Sequence, residues 1–377
     1  MNHFDAIVIG MGGVGSASLF HLARRGARVL GIDRFSAGHD RGSSHGQTRI
    51  IRQAYFEHAS YVPLLQRAYQ LWRELEEMVE ESLYFPVGLL EVGPPQGVVV
   101  PGVLKAAREH NLEVETVDVA EIADRFPGFT VADGDHAIFE REAGYLRVEE
   151  CVLAHLKAAA KYGAQQRFHE TVVSWRCLGD GVEVSTDKAT YSAGRLVIAA
   201  GAWANSLLRD LGHSLHVVRK HLHWYATSDQ DYQQRDGAPT FFYEAAGGYF
   251  YGFPSRDNLG LKIAEHSGGE LVADPLTVDR SVDPADQQRV ETFLRTYLPQ
   301  VTTTQMAHAV CLYTMSADEH FLLDHHPRHS QVAFAAGLSG HGFKFTSVLG
   351  EAMAQLILER RTDLPIDFLR LDRPTLR

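Results

Sequence analysis

The sequence predicts an α/β protein with a doubly wound, mostly parallel sheet, and three observations support this. A glycine-rich turn close to the N-terminus lies between a short apolar strand and a helix. Two later apolar strands, at 196–200 and 332–336, also run directly into glycine. Between them, from 216 to 262, residues alternate as in an antiparallel sheet. We therefore expect a doubly wound domain interrupted by an α+β domain with an antiparallel sheet.

The order of these patterns predicts that both domains are discontinuous in the chain. The doubly wound domain is expected at 1–85, 148–215 and 315–377, and the interrupting domain at 86–147 and 216–314. Helical periodicity is found in six further segments: 61–80, 103–110, 119–125, 148–162, 284–297 and 343–360.

Residues 4–33 have the pattern of a mononucleotide-binding βαβ unit, which is typical of Rossmann-like domains. An apolar strand leads into Gly10, Gly12 and Gly15 in the spacing G-x-G-x-x-G, and a helix and a second strand follow. The three glycines permit a tight turn, close approach of a pyrophosphate and close helix–strand packing. The helix N-terminus favours phosphate, and Asp33 after the second strand can accept hydrogen bonds from a ribose. We expect a bound dinucleotide; the alternative is a glycine-rich turn in an unrelated α/β protein.

Composition and charge exclude several classes of protein. The 377 residues carry a net charge of −11, which argues against nucleic acid or an anionic membrane as a partner. Cys151, Cys177 and Cys311 are too few and too scattered for a disulfide framework, which favours a reducing cytosol. The chain starts directly with a strand, so we expect no cleavable signal, and no apolar run reaches a membrane-spanning length. We expect a soluble cytoplasmic protein.

The segment 42–52 contains three basic residues, His45, Arg49 and Arg52. If Thr48 to Arg52 is helical, the three lie near one helix face. Converging cations suit a bound carboxylate, which arginine binds with two hydrogen bonds, or the negative charge of a reduced flavin. The alternative is a solvated basic start of a helix.

A second glycine-rich loop precedes the last helix and contains Gly340 and Gly342. Its backbone N–H groups are expected to face an anion or the polar edge of a flavin. Lys344, which lies between Phe343 and Phe345, would then be a cation in an apolar wall. The alternative is a surface lysine whose stem covers the aromatic rings.

Four further residues in strand-like segments are candidates for a site. Tyr251, Lys262 and His266 fall in aromatic or alternating strands, where such residues more often pack or face solvent. Cys311 lies in an apolar strand, where cysteine is usually a buried small side chain. The residues alone therefore favour structural roles for all four.

Metal and acyl-transfer chemistry have no support in the sequence. Asp318, Glu319 and His320, with His325 and His326 nearby, form the only suggestive group. Adjacent residues in a strand point to opposite faces, and no metal-binding motif is present, so we predict no metal site. The G-x-S-x-G motif of serine hydrolases is absent.

Taken together, the chain resembles the monomeric sarcosine oxidase family of flavin-dependent amine oxidases, which includes N-methyltryptophan oxidase and pipecolate oxidase. The resemblance runs nearly from end to end. Besides the first glycine motif, it rests on the blocks 42–52, 61–64, 251–254, 260–262, 310–314, 318–321 and 339–345. The blocks 310–314 and 339–345 are the most specific.

The resemblance implies FAD as the cofactor, joined through its 8α-methyl group to the sulfur of Cys311. Arg52 and Lys344 match the pair that holds the substrate carboxylate, and Lys262 matches the lysine near flavin N5 that activates oxygen. Tyr251 and His266 match residues on the substrate side, and His45 and Arg49 match those over the other flavin face. The remaining residues implied in FAD binding are Gly10, Gly12, Gly15, Asp33, Ser43, Thr48, Val172 (near the adenine), Gly340, Gly342 and Lys344.

The resemblance also implies the reaction and the partners. An N-methyl amino acid would be oxidised to an imine and hydrolysed to the amino acid and formaldehyde, and oxygen would become hydrogen peroxide. A monomer is expected. Phe242 stands where sarcosine oxidases tend to carry methionine, so an N-methyltryptophan oxidase or a pipecolate oxidase is an alternative. An NAD-dependent dehydrogenase and a non-catalytic flavoprotein are more distant ones.

Overall fold

The computed structural model describes residues 3–212 and 215–376. In this part of the chain the α-helices are α1 (Gly13–Arg24), α2 (Val62–Val79), α3 (Val99–His110), α4 (Val119–Arg125), α5 (Val148–Lys161), α6 (Ala204–Leu207), α7 (Pro284–Tyr297) and α8 (Thr346–Glu359). The first ten strands are β1 (His3–Ile9), β2 (Val29–Ile32), β3 (Thr48–Ile51), β4 (Tyr84–Phe85), β5 (Leu89–Gly93), β6 (Glu115–Val117), β7 (His136–Glu140), β8 (Gly144–Arg147), β9 (Gln165–Arg167) and β10 (Val172–Leu178). The others are β11 (Gly181–Thr186), β12 (Thr190–Ile198), β13 (His216–Tyr225), β14 (Thr240–Ala245), β15 (Gly248–Phe253), β16 (Leu261–Glu265), β17 (Glu270–Leu271), β18 (Gln305–Met315), β19 (Leu322–His326) and β20 (His329–Ala336).

The first sheet has eight strands, and its centre is parallel. β1 lies between β12 and β2, β9 continues beyond β2, and β20 pairs with the second half of β12, all in parallel. The strands β10, β11 and β19 add antiparallel pairs. The apolar cores of the central strands are buried on both faces, as a parallel sheet requires. The predicted α/β class with a doubly wound sheet is confirmed.

The second sheet has nine strands and is almost entirely antiparallel. Its order is β17-β13-β16-β15-β14-β5-β7-β6, with β18 paired to β13. The one parallel pair joins β14 to β5. Alternation along these strands divides the side chains between two cores. One contains Phe241, Tyr243 and Phe250 with Phe293 of α7, and the other contains Phe242, Tyr251 and Cys311.

A small three-stranded sheet, β3-β8-β4, excludes one interpretation of the sequence. A helix over Thr48–Arg52 was the condition for placing three basic residues on one helix face, but Thr48–Ile51 is the strand β3 and pairs antiparallel with β8. Its β-branched residues fit a pleated surface better than a helix. Helical spacing is therefore not the reason why Arg49 and Arg52 lie close together.

The helices of the first domain cover the parallel sheet, and their limits differ slightly from the predicted ones. α1 starts at Gly13 and is buried along almost its whole length. Gly350 of α8 lets that helix pack against Ala17, since a Cβ there would lie 2.4 Å from the Ala17 Cβ. The last predicted helix begins as a 3-10 turn, Phe343–Phe345, before α8.

Sheet membership follows the chain in blocks. The eight-stranded sheet uses strands between 3 and 32, 165 and 198, and 322 and 336, and the nine-stranded sheet uses strands between 89 and 140 and between 216 and 315. The domain limits at 85, 147, 215 and 314 remain a prediction. Within residues 3–212 and 215–376, no helix combines the length and the apolar character needed to cross a bilayer.

Candidate active site

Two adjoining cavities lie between the two large sheets. The large cavity lies at the carboxyl ends of β1, β2, β12 and β20 and spans about 1410 Å³, including the solvent at its mouth. The small cavity spans about 480 Å³, counted in the same way, and lies against the nine-stranded sheet. Four residues line both of them: Arg49, Tyr313, Gly340 and Phe343. A ligand in the large cavity would therefore meet one in the small cavity across this shared wall.

The glycine turn forms one end of the large cavity. Gly10 has a φ of +86°, and a Cβ there would lie 2.5 Å from the carbonyl oxygen of Ala199. A Cβ on Gly15 would lie 1.7 Å from the Gly10 oxygen, so α1 could not pack on β1. Gly12 differs, because the nearest atom to its Cβ position is Ser44 Oγ at 3.6 Å. Gly10 and Gly15 are required by packing, and Gly12 leaves space in the cavity.

The N-terminus of α1 offers backbone donors to this space. Gly12 is the N-cap and offers no side-chain cap, and the first turn contains no acidic residue. One backbone donor of this turn, Gly13 N–H, already donates to Ser44 Oγ at 3.1 Å. Such a helix end is an anion-binding site.

Asp33 and Val172 also line the large cavity, as expected for residues near a nucleoside. The two carboxylate oxygens of Asp33 accept hydrogen bonds from Met11 N at 2.7 Å and Phe35 N at 2.9 Å. Asp33 thus holds the glycine turn, and each oxygen keeps a second acceptor site for a ribose hydroxyl. Glu170 lines the same region and was missed in the sequence because it belongs to no motif.

Arg52 is buried in the wall of the small cavity. Its Nη2 donates to both carboxylate oxygens of Glu57, at 2.8 and 2.7 Å. The guanidinium carbon lies 4.1 Å from the Phe56 ring centre and 4.5 Å from that of Tyr55. Burial alone would raise the pKa of Glu57, but the charge of Arg52 lowers this pKa to about 2. Arg52 is therefore an ion-paired cation held between rings, not a solvated one.

Lys344 is the second buried cation of the small cavity. Its Nζ donates to the His341 carbonyl oxygen at 2.9 Å and lies 5.0 Å from the Tyr55 ring centre. Burial, with repulsion from Arg52, lowers the pKa of Lys344 to about 7. The structure thus brings Arg52 and Lys344 together, although 291 residues separate them in the chain.

Lys262 and His45 lie behind the cavity walls. Lys262 Nζ donates to the carbonyl oxygens of Gly46 and Thr48, at 2.5 and 2.9 Å, and to Thr48 Oγ1 at 3.1 Å. Burial lowers its pKa well below the usual value. His45 Nε2 has no hydrogen-bond partner in the described part of the chain, and burial lowers the pKa of His45 to about 3. Neither residue lines either cavity.

Cys311 is buried next to the shared wall. Arg49 Nη2 donates to its sulfur at 3.1 Å and to the Ser43 carbonyl oxygen at 2.9 Å. Ser43 Oγ in turn donates to the carbonyl oxygen of Leu312. The following residues, Leu312–Thr314, line the large cavity. This network ties the segment 42–52 to β18.

Aromatic and histidine side chains form the remaining wall of the small cavity. Phe242 and Tyr251 are paired across β14 and β15 and point to the same side of the sheet. The Phe242 ring lies 5.1 Å from Phe56 and 5.9 Å from His266. Burial lowers the pKa of His266 to about 3, so its ring is neutral. Gly340 must be glycine, because its φ is +80° and a Cβ would lie 2.3 Å from the Tyr313 ring.

One group of potential metal ligands is found outside these cavities. Among the described residues, Asp210, His326 and His329 place ligand atoms within 4.8 Å of one another. Asp210 is already ion-paired with Arg328, which brings a cation into the group. In the other group considered in the sequence, Asp318, Glu319 and His320, the Asp318 carboxylate is ion-paired with Arg373 at 2.7 Å.

Comparison with known proteins agrees with this geometry. The profile of the DAO family, described as FAD dependent oxidoreductase, matches residues 5–356. The chain is 41% identical to the monomeric sarcosine oxidase of Streptomyces avermitilis, over 96% of each chain. It is 37% identical to the N-methyl-L-tryptophan oxidase of Yersinia pestis, over 98% of this chain and 99% of that one.

Solved structures show the same architecture. NikD, an unusual amino acid oxidase of nikkomycin biosynthesis, has a TM-score of 0.86 and 25% identity over 98% of both chains. Glycine oxidase from Geobacillus kaustophilus has a TM-score of 0.82 and 22% identity over 99% of both chains, which shows the shared fold.

Proposed function

The chain belongs to the DAO family of FAD-dependent oxidoreductases, and from this premise we propose that it is an oxidase of N-methyl amino acids with oxygen as the acceptor. The observation that supports this most directly is the pair of buried cations, Arg52 and Lys344, in a small cavity that adjoins the large one. Relatives at 37–41% identity are named for sarcosine and N-methyl-L-tryptophan.

The large cavity has the features that FAD needs. The space beside Gly12, the N-terminus of α1 and Asp33 suit a pyrophosphate and a ribose. We propose that these residues hold the ADP half, with Val172 near the adenine and with Ser43, Thr48 and the 340–342 loop towards the ring. Bound FAD supplies the two-electron oxidation.

Arg52 and Lys344 bind the substrate carboxylate in this proposal. Two converging cations in a buried site attract a carboxylate strongly, since the surroundings screen little. A carboxylate held there places the amine and its N-methyl group towards the wall shared with the large cavity. Such positioning is a major source of rate acceleration.

The other residues exclude water and keep the amine neutral. Tyr251, Phe242 and the uncharged His266 form an apolar wall in which a protonated amine is disfavoured. Lys262, fixed by three acceptors, would supply positive charge where oxygen is reduced. His45 and Arg49 would lie over the opposite face of the ring.

The proposed reaction balances without a further reactant. The N-methyl amine loses two electrons and two protons to become an imine, and water converts this to the amino acid and formaldehyde. Oxygen accepts the two electrons and two protons and leaves as hydrogen peroxide.

The function is tested with purified protein and four substrates: sarcosine, N-methyl-L-tryptophan, pipecolate and proline. We expect anaerobic bleaching of the flavin absorbance and, in air, equal amounts of peroxide and formaldehyde from an N-methyl substrate. Peroxide from pipecolate alone would favour a cyclic imino acid oxidase. If none of the four substrates reduces the flavin, the proposal is contradicted.

We also propose that FAD is attached covalently through Cys311. Arg49 supports this, because it donates to the Cys311 sulfur at 3.1 Å and so fixes that sulfur next to the wall of the large cavity. Formation of the thioether would remove the thiol proton and one 8α-methyl proton, and the two electrons would pass through the flavin to oxygen. Cys311→Ser should release FAD into the supernatant on acid precipitation, and Cys177→Ser, at a half-buried position away from both cavities, should retain it. Flavin that stays with acid-precipitated Cys311→Ser protein would exclude this attachment.

A further inference from the structure

Glu91 is a buried carboxyl group beside the small cavity, and the proposed reaction does not use it. It lies on β5 with no measurable exposure, and neither carboxyl oxygen has a hydrogen-bond partner within the described ranges. Burying a polar group without a partner destabilises a fold, and nearly all such groups are paired. Its presence therefore calls for a role other than stability.

The sheet register places Glu91 on the cavity side. Glu91 pairs with Phe242 of β14, which pairs with Tyr251 of β15. Paired residues in neighbouring strands share one face of a sheet. Phe242 and Tyr251 line the small cavity, so Glu91 continues the same row one strand further on.

The charged group closest to Glu91 is Arg52. Glu91 Oε1 lies 3.7 Å from Arg52 Nε, whereas Glu57 accepts from Arg52 Nη2. The two acids differ in their freedom to move. Glu57 lines the cavity with a side chain that is 20% exposed, and Glu91 is fully enclosed. An incoming carboxylate can therefore displace Glu57 from Nη2, but Glu91 stays where it is.

Glu140, another buried acid nearby, shows the contrast. Its two oxygens accept hydrogen bonds from Gln53 N at 2.7 Å and Ala54 N at 3.0 Å. Glu140 thus fixes the backbone that follows β3. Glu91 has no such backbone partner among residues 3–212 and 215–376, and the ion pair that these residues give it is with the Arg52 side chain.

We propose that Glu91 is a positioning residue for Arg52: it anchors the guanidinium at Nε while Nη2 changes partner from Glu57 to the substrate carboxylate, and its charge state sets how strongly Arg52 attracts that carboxylate. This inference rests on the proposed function, since it takes Arg52 to bind a carboxylate.

Proton binding at Glu91 predicts the direction in which carboxylate affinity changes with pH. Burial raises the pKa of Glu91 to about 8; Arg52 and Lys344 oppose the rise, and Glu140 and Glu57 add to it. Below this pKa Glu91 is neutral and leaves the charge of Arg52 to the substrate. Above it, ionised Glu91 neutralises Arg52 and repels the incoming carboxylate. Carboxylate binding should therefore weaken as the pH rises through 8.

The test measures ligand binding to the flavin-loaded protein. Methoxyacetate resembles sarcosine but has no amine to titrate, and methoxyacetamide is its uncharged counterpart. Both are titrated by the change in flavin absorbance at pH 7 and pH 9, one unit on either side of the Glu91 pKa of about 8. The variant is Glu91→Gln, and the matched control is Glu265→Gln, a buried acid paired with Arg289 elsewhere in the same sheet.

We expect the Kd of methoxyacetate to rise from pH 7 to pH 9 in the unaltered protein, and this rise should be about tenfold larger than the rise in Glu91→Gln. A factor of this size is expected when one negative charge is added a few ångström from the bound carboxylate. Glu265→Gln should behave like the unaltered protein, and the Kd of methoxyacetamide should not respond to Glu91→Gln. Glu91 raises the pKa of Lys344, so the comparison is also made in a Lys344→Arg background, in which this position keeps its charge at both pH values.

Identical pH dependence in Glu91→Gln and the unaltered protein would overturn the inference. Equal affinity of the unaltered protein for both ligands would instead refute the carboxylate site, and with it the proposed substrate. Gln and Met replace Glu91 without loss of a hydrogen bond, so Glu91→Met provides a second uncharged variant. If neither variant can be loaded with flavin, Glu91 is a folding residue and the positioning role is wrong.

Discussion

The large and the small cavity share four wall residues, yet they are built on opposite principles. At the glycine turn the large cavity is formed mainly by backbone: glycines, strand ends and the N-terminus of α1. The small cavity is made of side chains, with two buried cations, a paired acid and aromatic rings from distant strands. Backbone donors suit a cofactor that is always the same, and side chains suit a substrate that differs between relatives.

Removal of a buried cation should have the largest effect on the small cavity. Arg52→Gln leaves Glu57 unpaired and removes the stronger carboxylate donor. We expect kcat/KM for sarcosine to fall by about a hundredfold to a thousandfold. Arg24→Gln, at an exposed position, is the control. Oxidation of dimethylamine, which has no carboxylate, should change little; an equal loss would mean that Arg52 acts on the reaction and not on the carboxylate.

Lys262→Met tests a charge that lies behind both cavities. If Lys262 assists oxygen reduction, flavin reoxidation should slow by about a hundredfold, while anaerobic reduction by substrate changes far less. Stopped-flow absorbance separates the two half-reactions. Lys220→Met is a matched control, because this buried lysine donates to Ser267 O and lines neither cavity. Equal slowing of both half-reactions would count against the oxygen role.

Two alanine substitutions separate packing from cofactor binding in the large cavity. In a Cys311→Ser background, Gly12→Ala should weaken FAD binding by about tenfold and leave the Tm of the cofactor-free protein unchanged, since the nearest atom to its Cβ, Ser44 Oγ at 3.6 Å, is at an ordinary contact distance. Gly15→Ala should lower that Tm, because its Cβ would lie 1.7 Å from the Gly10 oxygen. Fluorescence titration and calorimetry measure the two effects. The comparison fails if Gly12→Ala destabilises the cofactor-free fold as much as Gly15→Ala.

The smallest effect concerns the charge of Lys344. Its lowered pKa of about 7 means that the cation is present below this pH and is lost above it. The Kd of methoxyacetate should therefore rise severalfold from pH 6 to pH 8, one unit on either side. Lys344→Arg keeps its charge throughout, so in the Glu91→Gln background, where residue 91 cannot ionise, this rise should disappear. A variant that shows the same rise would assign the titration to another group.

The first glycine motif could be predicted in detail because its physics is local. Gly15 meets Gly10 within one strand–turn–helix unit, and Gly10 has the positive φ of +86° that the turn requires, although the atom nearest to a Gly10 Cβ, the Ala199 oxygen, lies outside this unit. The segment 42–52 shows where local reasoning fails. The spacing of its basic residues is compatible with one face of a helix, but pairing with β8 makes residues 48–51 a strand. That partner lies about 95 residues away, and no local pattern contains it.

Glu57 and Glu91 were missed for the same reason. Glu57 looks like any acidic loop residue, and Glu91 interrupts an otherwise apolar strand without a motif around it. Their importance depends on Arg52, which the fold brings to both. For Lys344 the residues alone left a surface lysine open, and the structure shows burial against Tyr55.

The sequence by itself determined the α/β class, the glycine turn and its acid, and the likeness to flavin-dependent amine oxidases, because these depend on spacing within short segments. Tertiary structure alone decided that Arg52 and Lys344 face one cavity, that Arg49 contacts Cys311, and that Glu91 is buried beside a cation. Charge, burial and pKa are properties of neighbours in space, and the chain order does not specify those neighbours until the sheets have formed.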